Sequence, residues 1–206
     1  MNQWTTIPSD GVIQKTVDAL KKHNISPLIV ASGKEAMEQI ISLIPKGASI
    51  MNGSSKTLEQ IGYLDYLKGG KHGWNDLHHA ITSENDPEKR AELRRQSVLS
   101  DYYLGSVHAL SGTGEFLIAS NTGSQLPHVV YTSPNLIFVV GAQKIVPTLA
   151  DAFKRLEEYV YPLENKHMMD LYKVGTNLSK IVVFKKERQK SGRTVRMIIV
   201  KEVLGF

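Results

Sequence analysis

The sequence predicts an α/β fold: a mostly parallel sheet flanked by helices, with an antiparallel strand pair added near residue 200. Three observations carry this prediction. Short apolar runs of strand length alternate with helical-period segments through the first half of the chain. That helix–strand–helix–strand order requires crossover connections, which join parallel strands. Beyond residue 180, two apolar runs flank a charged turn containing Ser191-Gly192, the pattern of a hairpin.

The elements follow in order. Ile13, Thr16, Val17 and Leu20 lie at helical spacing after the capping pair Ser9-Asp10, so an amphipathic helix opens the fold. Pro27 to Ala31 is a first strand. Met37, Ile40, Ile41 and Ile44 make a second helical face that stops at Pro45, and Ala48 to Met51 is a second strand. From Gly62 to Asp86 the pattern weakens into loops with short helical pieces. Pro87-Glu88 then opens a longer helix carrying Ala91, Arg94, Arg95, Val98 and Tyr102. Strands are expected at Val107–Leu110, Glu115–Ala119 and Leu136–Val140. Val146, Leu149, Phe153, Leu156 and Val160 form a helix face, stopped by Pro162. The hairpin strands are Ile181–Phe184 and Val195–Val200. With no repeat or linker, residues 1–206 are expected to form a single domain.

Composition narrows the function classes. The chain has 206 residues, 41% of them hydrophobic, enough for a sizeable core. No apolar run approaches the ~20 residues that span a bilayer, and the first residues lack a basic start and an apolar stretch, so a cytoplasmic location is expected. There are no cysteines, which removes disulfides, thiolate nucleophiles and cysteine-ligated iron–sulfur clusters from this chain. The net charge is +5, with a basic cluster from Lys180 to Lys201. Without interleaved aromatic residues or a nucleic-acid motif, that cluster reads as a solvated hairpin guarding sheet edges rather than a nucleic-acid surface. The same hairpin is where a homo-oligomer would form. His72, His78 and His79 do not have the spacing of a metal site, and no metal is expected there.

Chemistry is expected at two polar loops. Asn52-Gly53-Ser54-Ser55-Lys56-Thr57 stands where a strand hands over to a helix, and its hydroxyls and free amides suit an anion; a plain helix cap through Ser54 or Ser55 is the competing reading. Asn121-Thr122-Gly123-Ser124-Gln125 follows another strand with the same composition. Placed at the carboxyl edge of one sheet, the two loops would bind a small anionic metabolite. Glu115, beside the turn Ser111-Gly112-Thr113-Gly114, is a candidate base or nucleophile, and Lys144, after Gly141, a candidate cation.

Four segments together resemble the LUD-domain (lactate utilization) family: Asn52 to Gly62, Leu93 to Ala109, Ile118 to Pro127 and Val139 to Pro147, followed by the ending Lys201-Glu202-Val203-Leu204-Gly205-Phe206. The resemblance covers nearly the whole chain and is of the compact, stand-alone type. It implies the fold shared by ribose-5-phosphate isomerase, glucosamine-6-phosphate deaminase and CoA transferases, with the Gly53–Thr57 and Thr122–Ser124 loops at the ligand pocket. It also implies lactate oxidation alongside iron–sulfur partner proteins. The chain departs from larger relatives in lacking their cysteine clusters, and it reads Gln125-Leu126-Pro127 where some relatives carry an arginine. The expectation is therefore a non-redox accessory subunit of a system converting L-lactate to pyruvate, with no cofactor of its own and iron–sulfur clusters in its partners. The alternative is a self-contained enzyme acting on a sugar phosphate or acyl-CoA.

Overall fold

The computed structural model describes residues 2–206. In chain order the elements are α1 (Asp10–Lys22), β1 (Ser26–Val30), α2 (Gly33–Leu43), β2 (Ser49–Asn52), α3 (Lys56–Gln60), α4 (Tyr63–Lys68), β3 (Asn75–Asp76), α5 (Leu77–Ser83) and α6 (Pro87–Gln96). They continue with β4 (Tyr102–Gly105), β5 (Ala109–Ser111), β6 (Phe116–Ser120), β7 (Asn135–Gly141), β8 (Ile145–Val146), α7 (Leu149–Arg155), α8 (Tyr161–Tyr172), β9 (Lys180–Phe184) and β10 (Thr194–Val200). A six-stranded sheet has the order β1-β10-β7-β4-β2-β3, and a four-stranded sheet the order β8-β5-β6-β9. Every pair in the larger sheet is parallel, so the expected parallel α/β architecture is present.

Packing explains why the central strands are apolar without interruption. On β7, Leu136, Phe138 and Val140 enter one core while Ile137 and Val139 enter another; on β10, Val195, Met197 and Ile199 take the first side, Ile198 and Val200 the second. Both faces of the large sheet are thus covered, as parallel sheets require. One face meets α1 and the small sheet through Ile13, Leu20 and Phe116. The other meets α2 to α4 through Ile40, Leu58 and Tyr63. The outer face of the small sheet is closed by α7 and the turn after it, through Ala152, Leu156 and Val160.

Three sequence expectations change here. The hairpin near residue 200 does not form. Its two strands exist, but β9 joins β6 antiparallel in the small sheet, whereas β10 is inserted between β1 and β7 in the large one. The run Met197-Ile198-Ile199-Val200 has no polar face, so it satisfies a two-sided core better than a hairpin exposed on one side. An oligomer interface built on that hairpin loses its premise. Tyr102, placed by spacing on the helix, instead starts β4; α6 ends at Gln96 and a 3₁₀ turn, Ser97–Leu99, separates the two. Finally, Pro162 does not stop its helix. A π-helical turn at Leu156–Val160 leads straight into α8, with the N–H of Tyr161 bonded to the carbonyl of Leu156. The widened turn sits where the proline ring would crowd an α-helix and where its missing N–H leaves a bond unmade.

The basic cluster also has internal partners. Arg193 donates to the carbonyls of Ser133 (3.2 Å), Val130 (2.9 Å), Val129 (2.7 Å) and His128 (3.1 Å), and pairs with Glu187 at 3.3 Å. One guanidinium therefore terminates the π-helical turn His128–Thr132 and ties it to the β9–β10 connection. Arg193→Ala leaves four carbonyls and the nearly buried Glu187 without it, and the expected loss is about 3–5 kcal/mol of stability, read from urea unfolding. A loss below about 1 kcal/mol would show this network to be no stronger than a surface ion pair.

Candidate functional site

The cavity is built where the chain crosses between sheets. β2, β4 and β7 are neighbours and parallel, so their carboxyl ends share one edge. After β4 the segment Ser106–His108 carries the chain to β5 of the small sheet; after β7 a 3₁₀ turn, Ala142–Lys144, carries it to β8. These crossings form the floor of a cavity of about 350 Å³, a size suited to a small metabolite. The Gly53–Thr57 loop after β2 forms one wall, and the loop after β6 forms the opposite one through Asn121, Thr122 and Ser124. Tyr161, Glu164 and Met168 of α8, with Thr176 to Leu178, close the remaining side. The two polar loops do meet, but across two sheets rather than along one.

A close approach locks the loops together. The Tyr103 hydroxyl donates to Gln125 Oε1 at 3.1 Å, and Gln125 Nε2 donates to the carbonyl of Ala119 at 2.9 Å. Gly53 lies directly against this bond: a Cβ there would stand 2.7 Å from the Tyr103 oxygen and 2.8 Å from Gln125 Oε1. Any side chain at residue 53 would force the walls apart. Burial pushes the Tyr103 phenol well above its ordinary range, so it stays a donor.

Lys144 is the centre of the floor. Its side chain is buried, and Nζ contacts Thr57 Oγ1 at 3.0 Å, Ser106 Oγ at 3.1 Å and the carbonyl of Val107 at 3.2 Å. All three partners are neutral. Desolvation, reinforced by the nearby Arg155 charge, lowers the Lys144 pKa to about 7. The C-terminal segment presses on this group: a Cβ on Gly205, whose φ is +67°, would clash with Thr57 Oγ1 and lie 2.9 Å from Nζ.

Behind the floor, Arg155 of α7 is fully buried. Its Nη1 donates to the carbonyl of His108, its guanidinium lies 5.3 Å from the Tyr159 ring centroid, and among the described residues its Nε and Nη2 find no partner. Desolvation lowers its pKa to about 10. His108 lines the cavity and its Nδ1 accepts the Ala119 N–H at 3.1 Å, which puts the ring proton on Nε2. Burial, then the charges of Lys144 and Arg155, lowers its pKa to about 3, so the ring is neutral at pH 7. The lining thus holds Lys144 and the neutral His108, with Arg155 buried behind them and Glu164 the one carboxylate among the lining side chains.

The sequence-derived candidates divide as follows. Gly53, Ser54, Ser55, Thr57, Asn121, Thr122, Ser124 and Lys144 all line the cavity. Ser55 also accepts the Leu58 N–H at 3.3 Å, so it is the cap of α3 as well. Asn52 and Gly123 stand just behind the walls. Asn52 is buried and donates to the carbonyl of Gly53, while Gly123 turns the second loop at φ +89°. Glu115 does not join them. It precedes β6, whereas the cavity lies beyond the opposite end of that strand, and five residues at about 3.3 Å each span roughly 17 Å. There Glu115 accepts a hydrogen bond from Thr113 Oγ1, the main cause of its lowered pKa, beside His23 and Lys185. Gln125, the last residue of the second polar loop, lines the cavity too, whereas Tyr103, Ser106, His108 and Glu164 were not singled out from the sequence. Only the short run Tyr102-Tyr103-Leu104-Gly105, aromatic and ended by glycine, held a readable strand signal that would have led to three of them.

The chain is thus an α/β protein with a cavity at the carboxyl ends of parallel strands, where open α/β sheets commonly hold ligands, and with a buried lysine in its floor that has no acidic partner among the described residues. More narrowly, the chain belongs to the LUD-domain family, whose model matches residues 13–200. That membership associates it with lactate utilization in general terms. The crystal structure of a DUF162 family protein from Deinococcus radiodurans at 1.70 Å resolution is similar in fold, with a TM-score of 0.56 and 12% sequence identity over 94% of this chain and 99% of that one. No curated protein matches the sequence. Among the described residues no helix is long and apolar enough to cross a membrane.

Proposed function

We propose that this chain binds a small carboxylate or phosphate metabolite in the inter-sheet cavity and serves lactate utilization as a non-redox component beside iron–sulfur proteins. The observation that carries the binding is Lys144. Burying an ammonium without an opposite charge is costly, and here its three partners are two hydroxyls and a carbonyl. An anionic ligand supplies the missing charge, and the hydroxyls of Ser54, Thr122 and Ser124 on the walls offer it hydrogen bonds. The assignment to lactate utilization rests on the family, and the absence of cysteine supports a division of labour with cluster-bearing partners.

Thermal unfolding with lactate, pyruvate, ribose 5-phosphate and acetyl-CoA tests this reading. At a hundredfold excess over Kd the expected rise in Tm is roughly 5–10 °C, and Lys144→Gln should remove it. If none of the four moves the melting temperature, anion binding at this site is wrong. The second reading, a self-contained enzyme on a sugar phosphate or acyl-CoA, loses Glu115 as its base but keeps Lys144 and gains Glu164. Turnover of ribose 5-phosphate or acetyl-CoA by the isolated chain would favour it.

A further inference from the structure

Among the described residues Lys144 is the one lysine in the buried interior, and it also lines the cavity. The kind of partners it has matters as much as their number. A carboxylate would hold it as an ammonium permanently. Two hydroxyls and a carbonyl do not: the Val107 carbonyl always accepts, whereas Thr57 and Ser106 can each accept from the nitrogen or donate to its lone pair. The free amine therefore fits this nest without leaving a polar atom unpaired. Burial, and then the Arg155 charge behind the floor, favour that uncharged form. A desolvated lysine next to a second cation is an activated amine nucleophile.

We propose that the Lys144 amine condenses reversibly with the carbonyl carbon of a small 2-oxo carboxylate held in this cavity, forming an imine. The proposal rests on the anion-binding reading above and names the ligand class of the same site. The Nζ lone pair forms the new C–N bond as the carbonyl π pair moves to oxygen. One amine proton passes to that oxygen, with the Ser106 hydroxyl 3.1 Å from Nζ placed to carry it, giving a carbinolamine. Loss of the second nitrogen proton together with the hydroxyl releases one water and leaves C=N; nothing is oxidised or reduced. A carboxylate bonded directly to the carbonyl carbon stays close to Nζ throughout, in the field of Arg155 and within reach of the hydroxyl-bearing walls. That arrangement favours a 2-oxo acid over a longer sugar phosphate, whose anion lies several carbons from its carbonyl.

The experiment treats the full chain with pyruvate and cyanoborohydride, which reduces an imine to a stable secondary amine, and maps the adduct by peptide mass spectrometry. The wild-type protein itself reports the site, so no variant needs to fold. Melting curves with lactate, which has no carbonyl and cannot condense, run in parallel. The expected result is one adduct per chain on Lys144, suppressed by lactate and lost in Lys144→Arg. Its rate should level off above about pH 7. Adducts elsewhere in the chain should form on the order of a hundredfold more slowly than on Lys144 at pH 7. Ligand-induced stabilisation with no adduct, or with adducts scattered over surface lysines, overturns the imine and leaves anion binding standing. An adduct on Lys144 from ribose 5-phosphate but not from pyruvate overturns the 2-oxo acid class. Neither stabilisation nor adduct removes both readings.

Discussion

Acidification from pH 6.5 to pH 4 is expected to remove most of the stability of this protein, because two histidines are held neutral inside it. His108 has its pKa lowered to about 3, by burial first and then by the Lys144 and Arg155 charges; His128 has its own lowered to about 4 by burial alone. In the unfolded chain both titrate near 6.5. Below that value the unfolded state takes up protons that the folded state refuses, so stability falls as pH falls and is fully retained only above about 6.5. At 1.36 kcal/mol per unit, the two shifts together are worth on the order of 5–8 kcal/mol, comparable to the whole stability of an ordinary domain. The His128 ring is held in place by Ser100 and Ser133, at 3.2 and 2.9 Å from Nδ1, and by stacking on Tyr103. Asp101, bonded to the amide and hydroxyl of Ser49, has a lowered pKa, so its contribution is lost mainly further down, as pH falls below its unfolded value near 4. Urea midpoints at half-unit steps of pH would show the slope, and His128→Asn should flatten part of it. A profile level between pH 6.5 and 4 would mean that neither ring is kept from its proton.

The second large effect has the opposite range and the same logic. Lys144 releases its proton at about pH 7 in the folded state but near 10.5 when unfolded. Between those values the unfolded chain holds a proton that the folded chain has given up, so wild-type stability should rise with pH relative to Lys144→Met, which carries no proton there. The full change is on the order of 5 kcal/mol. Comparing the two proteins, rather than following one, cancels the tyrosines. Burial raises the Tyr63 and Tyr103 phenols, which destabilises both proteins alike as pH passes 10. Should the difference between wild type and Lys144→Met stay constant from pH 7 to 10, the floor of the cavity does not disfavour the ammonium, and the case for a nucleophilic amine weakens with it.

What could be read from the sequence was whatever one face of one element could express. The alternation up to β2, the apolar stripe of α1 and the run of β7 each announced themselves locally, and Gly53 to Thr57 and Asn121 to Ser124 stood out because small polar residues at strand ends have few other uses. What stayed hidden depended on partners distant in sequence. β10 looked like half of a hairpin because β9 precedes it closely; only the position of β7 and β1 makes it a central strand. Glu115 and Ser120 are neighbours in sequence terms, yet a strand holds their surroundings apart. Arg155, at a helical position with no apolar role, gave no sign that it would be buried behind Lys144. The π-helical turn before Pro162 was unreadable because the proline rule predicts a stop and takes no account of a widened turn that absorbs the ring.

The placement of β10 has a consequence for how the chain comes to be folded. β1 has one sheet neighbour, β10, with Ser26 opposite Arg196 and Val30 opposite Val200. As the chain is made from its N-terminus, residues 26–30 are finished early and then have no strand to join until residues 194–200 exist. β7 is in the same position on its β10 side, although β4 is already available to it. The large sheet therefore grows from β2, β4 and β7 and is completed last by an insertion, not an edge addition. Joining partners about 170 positions apart carries a high loop-closure cost and slows folding. Until that step is over, α1 and the apolar side chains of β1 stand beside an open gap, and it is during this interval that the nascent chain depends most on protection from aggregation.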